Sequence, residues 1–237
     1  MTIRAFGTSD VGLVRERNED SFLVDDAHSV FAVADGIGGM PGGDTASQSA
    51  IAAVRDAIAR AAGTPLSHEA IGKLVESAHA AVQTAGRDFG PDGIGTTMTL
   101  VHIGDGRARL AHVGDSFALL VRDGKCRALT REHNVENERT DSFSVAPYPP
   151  AYRYALTRSL GQPGPVEVEL IEAELRAGDC LVLATDGLTD LVEPLQIASV
   201  CAAHAEPSAV ARTLIEHACI GGGHDNITVI VVRIDSI

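Results

Sequence analysis

Apolar positions along the chain fall into short dense runs and longer spaced ones. SFLVD at 21–25 and SVFAVA at 29–34 are short, apolar and bounded by polar residues, and predict β-strands. From Asp44 the pattern changes to TASQSAIAAVRDAIARAA, alanine-rich with apolar residues at helical spacing, and predicts a helix capped at Asp44. A second helix is predicted over roughly Ser67 to Gly86, after Pro65. TTMTLVHI, RARLAHV, FALLVR and CRALT follow, separated by Gly104-Asp105-Gly106, Gly114-Asp115-Ser116 and Asp123-Gly124. Close β runs with turns of this chemistry predict an antiparallel meander. Residues 131–165 hold five of the ten prolines and several charges, predicting a mobile surface segment in which YALTRSLG re-enters order. VEVELIEAEL and CLVLAT are then strand-like, helices are predicted around 195–204 and 207–219, and ITVIVVRI predicts a terminal strand. Helices in this order suit the outer faces of two antiparallel sheets, an α+β fold.

Composition narrows the function classes. The chain has 237 residues, 45% of them hydrophobic and 22% charged, with neither an internal repeat nor a linker, which suits one domain over 1–237. A formal net charge of −13 argues against a nucleic-acid partner, which would want a basic face. The opening MTIRAFGTSD turns polar too early for a secretory signal, and ITVIVV at 227–232 falls short of a membrane span. Cys126, Cys180, Cys201 and Cys219 form no CxxC pair and read as reduced core thiols. A cytoplasmic protein with no membrane partner is expected.

Four acidic positions share one local grammar. Asp35-Gly36 ends FAVA, Asp186-Gly187 ends LVLAT, Asp225-Asn226 opens ITVIVV, and Asp20 closes RNED just before SFLV. Each alone reads as a turn, because Asp-Gly and Asp-Asn are favoured there. Asp105-Gly106 and Asp123-Gly124 read only as turns. Together, carboxylates at strand ends that converge would raise one another's pKa, and a cation would remove the conflict. Donors that are all carboxylate, backbone carbonyl and water suit the hard ions Mg²⁺ or Mn²⁺ rather than zinc. A bare backbone at Gly36 would let its carbonyl approach such an ion.

The motifs SDVGLVRERNEDSF, FAVADGIGG, GIGTTMTL, AHVGDSFALL, YALTRSLG, LATDGLTDLV and GGGHDNITVIVV occur in the order of the metal-dependent 2C-type serine/threonine protein phosphatases, which the chain resembles from about residue 7 onward. The resemblance implies an α-β-β-α sandwich of two antiparallel sheets flanked by helix pairs, a compact bacterial-type catalytic domain acting as a monomer in signalling. It implies hydrolysis of phosphoserine and phosphothreonine in proteins by a water bridging two Mn²⁺ or Mg²⁺ ions. Asp35 would bridge the ions, the Gly36 carbonyl would add a ligand, and Asp186 and Asp225 would complete the set. Glu19 and Asp20 would act mostly through water. Asp115, with Asp186, matches a position that can hold a third, weaker ion. Arg15 matches the phosphate-binding arginine, so that Arg15, Asp35 and Asp186 form the catalytic group, while Arg17 would make a surface ion pair. The implied partners are phosphorylated proteins and a cognate kinase.

Two positions depart from the family pattern: Ile37 stands where animal relatives carry histidine, and Phe117 where arginine usually follows the Gly-Asp-Ser motif. Residues 131–155 fall where the flap sits and match its pattern poorly. His133 and His224 read as solvated loop histidines, and His112 as packed or hydrogen-bonded in the meander. Rival readings are a serine esterase using Ser116, which lacks a GxSxG elbow, and a non-enzymatic binding module.

Overall fold

VFAVA at 30–34 is apolar at every position because both of its faces are covered. The computed structural model describes residues 1–38, 42–61, 66–90, 93–141 and 152–237. Among these, ten strands form two five-stranded antiparallel sheets. One sheet runs β1 (Thr2–Asp10), β10 (Ile227–Ser236), β9 (Cys180–Ala184), β6 (Phe117–Arg122), β7 (Lys125–Ala128). The other runs β2 (Ser21–Asp25), β3 (Val30–Ala34), β4 (Met98–Gly104), β5 (Arg107–Val113), β8 (Glu169–Glu174). Helices α1 (Gly43–Arg60) and α2 (His68–Gly86) cover the β3 sheet. After the short helix α4 (Asp186–Thr189), helices α5 (Pro194–Ala203) and α6 (Pro207–Ile220) cover the other. This is the α+β sandwich expected from the order of elements.

The two-residue period of a strand sorts its side chains between cores. Val30, Ala32 and Ala34 face α1 and α2, whereas Phe31 and Val33 pack between the sheets with Val101, Leu120 and Ile230. Cys180, Val182 and Ala184 of β9 likewise face α5 and α6, while Leu181 and Leu183 point inward. All four cysteines are free thiols; Cys180 and Cys201 are buried, but Cys126 and Cys219 are only half-buried, so the core-thiol expectation holds for one pair.

Helix α2 begins as expected, with Ser67 Oγ accepting from the Ala70 N–H. Helix α1 does not: it starts at Gly43 with Gly42 as its N-cap, and Asp44 lies in the first turn. Asp105-Gly106 and Asp123-Gly124 are turns only, each with two successive positive φ angles of the kind that join hairpin strands.

The largest correction concerns the meander. β4 pairs with β5 and β6 with β7, but β5 and β6 lie in different sheets. Gly114-Asp115-Ser116 is therefore a crossing between sheets rather than a hairpin turn. β1 has no strand pattern of its own and is held by pairing along β10. In the proline-rich segment, α3 (Val135–Asp141) is an unexpected short helix whose Asn137 N–H donates to Asn134 Oδ1. YALTRSLG re-enters order as expected, with Leu160 exchanging two backbone hydrogen bonds with Thr96. Residues 142–151 of the flap region at 131–155 lie outside the described residues.

Candidate functional site

Antiparallel pairing brings the acid-bearing strand ends to one edge of the sandwich. Ser21 pairs with Ala34, so Asp20 and Asp35 flank the same end of the β2–β3 ladder. Val229 pairs with Ala184, which sets the approach of Asp225 to Asp186. Asp115 arrives from the crossing between sheets. Among the described residues, Arg15, Glu19, Asp35, Asp115, Asp186 and Asp225 line one cleft of about 400 Å³, which Gly36 also lines. Asp20 is not on its wall; it lies behind, lining a second cavity with Gln48 and Arg55.

Hydroxyl and amide side chains that carry no signal of their own hold these acids. Thr97 Oγ1 accepts from the Asp35 N–H at 2.9 Å, and Thr96 Oγ1 donates to the Asp35 carbonyl at 2.7 Å. Thr185 and Thr228 donate to Asp20 Oδ2 at 2.9 and 2.6 Å. Buried Asn226 donates to the carbonyls of Val11 and Arg17 and accepts from the Glu19 N–H, tying the Arg15 loop to the start of β10. Arg15 Nη2 donates to Asp225 Oδ2 at 2.6 Å and lies against Gly38, where a Cβ would meet Nη1 at 2.7 Å. Arg17 makes no ion pair among the described residues, so its expected surface pairing is absent. Gly36 also has a packing reason: a Cβ there would sit 2.3 Å from the Gly43 carbonyl and 2.7 Å from that of Glu19. Backbone crowding between β3 and α1 demands the glycine.

The acids pay electrostatically for this convergence. Burial pushes Asp20 up to about 7, opposed by the Thr228 and Thr185 hydroxyls and reinforced by Asp186 and Asp225. Burial and the charges of Asp20, Asp186 and Asp115 raise Asp35 well above the carboxylate range. Asp115 rises to about 7 through burial and Asp186, and Asp186 to about 6 through burial, Asp190 and Asp225. Asp20 Oδ1 and Asp186 Oδ1 are buried with no hydrogen-bond partner among the described residues. Repelling carboxylates with orphaned oxygens fit a divalent cation, and a donor set made only of oxygen fits Mg²⁺ or Mn²⁺.

Sequence reasoning missed Asp190, which joins Asp115, Asp186 and Glu132 around an adjoining cavity of about 340 Å³. Its signal was available: Asp186 and Asp190 are one helical turn apart, and the Asp190 N–H donates to the Asp186 carbonyl. It also missed exposed Tyr154, on the rim of both cavities. His224 is an exposed loop residue as expected. His112 is buried and hydrogen-bonded as expected, with Nδ1 to Thr99 Oγ1 and Nε2 to the Arg131 carbonyl. His133 is not solvated: it is 4% exposed, packed on the His112 ring, with Nδ1 and Nε2 both in hydrogen bonds. Together with Glu169 these histidines form a cluster of metal-ligand type, but hydrogen bonds engage all four ring nitrogens. Ser116 is buried with its hydroxyl on Thr97, which removes the esterase reading.

A family model described as protein phosphatase 2C matches residues 14–214. The serine/threonine protein phosphatase PstP of Mycobacterium tuberculosis is 34% identical over 99% of this chain and 45% of its own length, so the chain spans about half of that relative. The serine/threonine phosphatase stp of Listeria monocytogenes is 31% identical over 96% of this chain and 94% of its own. Among solved structures, the catalytic domain of PstP in complex with two manganese ions is similar, with a TM-score of 0.83 and 33% identity. That likeness covers 98% of this chain and 97% of that one.

Proposed function

Because the chain belongs to the protein phosphatase 2C family, we propose that it is a metal-dependent hydrolase of phosphoserine and phosphothreonine in proteins. Asp35, the Gly36 carbonyl, Asp186 and Asp225 would hold two Mn²⁺ or Mg²⁺ ions, with Glu19 and Asp20 farther out and Asp115 joining Asp186 at a third, weaker position. Such a pair of ions supplies an activated water and offsets charge on the phosphoryl oxygens. Arg15 binds the phosphate: its planar fork takes two oxygens, and Asp225 on one side and Gly38 on the other aim it across the cleft mouth. Thr96 and Thr97 hold the Asp35 backbone from both of its polar groups, so its carboxylate is aimed before any ligand arrives. Asp20, fixed by two threonine hydroxyls, adds negative charge from behind. Residues 1–237 act as one catalytic domain, with 131–155 as its flap. The substrates are phosphoproteins made by a cognate kinase, met by a cytoplasmic monomer.

The observation that carries this reading is the meeting of Asp35, Asp115, Asp186 and Asp225 in one cleft, where burial and then one another's charge push the carboxyls of Asp35, Asp115 and Asp186 upward. Phosphate release from a phosphothreonine peptide is its test. Release with Mn²⁺, lost in EDTA and regained on adding excess Mn²⁺, is the expected result. A folded protein that binds Mn²⁺ and releases no phosphate would instead favour the binding module.

A further inference from the structure

The buried His133 lies outside the cleft, and its two hydrogen bonds to one glycine point toward it. The His133 N–H donates to the Gly114 carbonyl at 2.7 Å, and the Gly114 N–H donates to His133 Nδ1 at 3.1 Å. Both polar groups of the residue before Asp115 are thus held by a single side chain and its own backbone. Gly114 cannot be replaced there, since φ is +112° and a Cβ would meet Thr97 Cβ at 2.6 Å. On the other side of Asp115, Ser116 is held through its hydroxyl by Thr97 and through its carbonyl by Thr99.

The ring's protonation follows from its partners. Nδ1 accepts from an amide, so the proton must sit on Nε2, which faces Glu169 Oε2 at 3.2 Å. Glu169, on the edge strand β8, therefore selects the tautomer in which Nδ1 is an acceptor, much as outer carboxylates orient ligating histidines.

We propose that His133 is a positioning residue that aims Asp115 into the cleft by clamping Gly114, with Glu169 holding the ring in the acceptor tautomer. The proposal rests on the assignment of Asp115 to the metal centre. It links the first residues of the flap region to an acid of the cleft, across the crossing between the two sheets.

Two amides separate the contacts. In His133→Asn the carboxamide oxygen occupies the place of Nδ1 and still accepts from Gly114. In His133→Gln the carboxamide reaches toward Glu169 and leaves the Gly114 N–H without an acceptor. Turnover of p-nitrophenyl phosphate is followed across a Mn²⁺ series for both variants, for Asp115→Asn and for His133→Gln/Asp115→Asn, with a thermal melt of each. Amide hydrogen exchange at Gly114 is read on the same Mn²⁺-loaded proteins. The Gln variant is expected to raise the Mn²⁺ concentration for half-maximal turnover by about tenfold, the scale of losing an outer partner. Asn is expected to recover most of that loss, and Gln to add nothing once Asp115 is Asn. Equal impairment by Asn and Gln, or additive effects of Gln and Asp115→Asn, would overturn the proposal. Equal Gly114 exchange in the two variants would overturn it even if the wild type released no phosphate, an outcome that by itself counts against the hydrolase reading.

Discussion

Asp35→Asn and Asp186→Asn should each reduce phosphate release by more than the roughly 10–100-fold that losing an outer partner of a metal ligand costs. Asparagine keeps the size and one acceptor oxygen of the carboxylate, so the backbone bonds from Thr96 and Thr97 to residue 35 survive. What it removes is the negative charge that a divalent ion would balance. The same change relieves repulsion, because Asp35 is raised by burial and by Asp20, Asp186 and Asp115. The metal-free variants should therefore melt higher than metal-free wild type while losing activity. Misfolding would lower both quantities, so phosphate release and a melting curve on the same samples separate the causes. Near wild-type release by either variant would refute the assignment.

Metal-free wild type should lose stability as pH rises from about 4 to 8. Asp20 and Asp115 titrate near 7 and Asp186 near 6 in the folded chain, against an ordinary 3.8. Over that window the folded state keeps protons that the unfolded chain has already released, so raising the pH favours unfolding until the folded values are passed. Mn²⁺ should reverse the trend. At about 100 times Kd it adds roughly 2.7 kcal/mol, provided the unfolded chain does not bind it. For a chain of this size that corresponds to a rise in Tm of about 5–10 °C. The rise should be largest near pH 8 and shrink toward pH 5, where protons compete for the same oxygens. Calorimetric or fluorescence melts across pH, with and without Mn²⁺, check this. A metal-free Tm that is flat in pH and unmoved by Mn²⁺ would contradict it.

Local chemistry made the strand-end acids legible. Asp35, Asp186 and Asp225 each follow or precede a run apolar enough to be buried on both faces, so their positions at strand termini could be read directly. Their convergence required the sheets, which the order of helices and strands suggested. Turn grammar failed at Gly114-Asp115-Ser116, because a two-sheet crossing and a hairpin use the same small polar residues and differ only in distant partners. β1 was missed for the same reason: its strand character comes from β10, more than two hundred residues later. His133 looked like a loop residue among charged neighbours, and its burial arises from His112 and Gly114 on another strand and crossing. Threonines 97, 185 and 228 and Asn226 are ordinary in composition; only the fold reveals that their donors and acceptors are spent on the acids and the Arg15 loop.

Isothermal titration calorimetry of Mn²⁺ into metal-stripped protein near pH 7.5, repeated in buffers of different ionisation enthalpy, addresses the convergence of these acids most directly. Saturable uptake of two ions with release of protons is the expected result, weakened or lost in Asp35→Asn. A folded wild type that takes up no Mn²⁺, or takes it up unchanged when residue 35 is asparagine, would contradict the account.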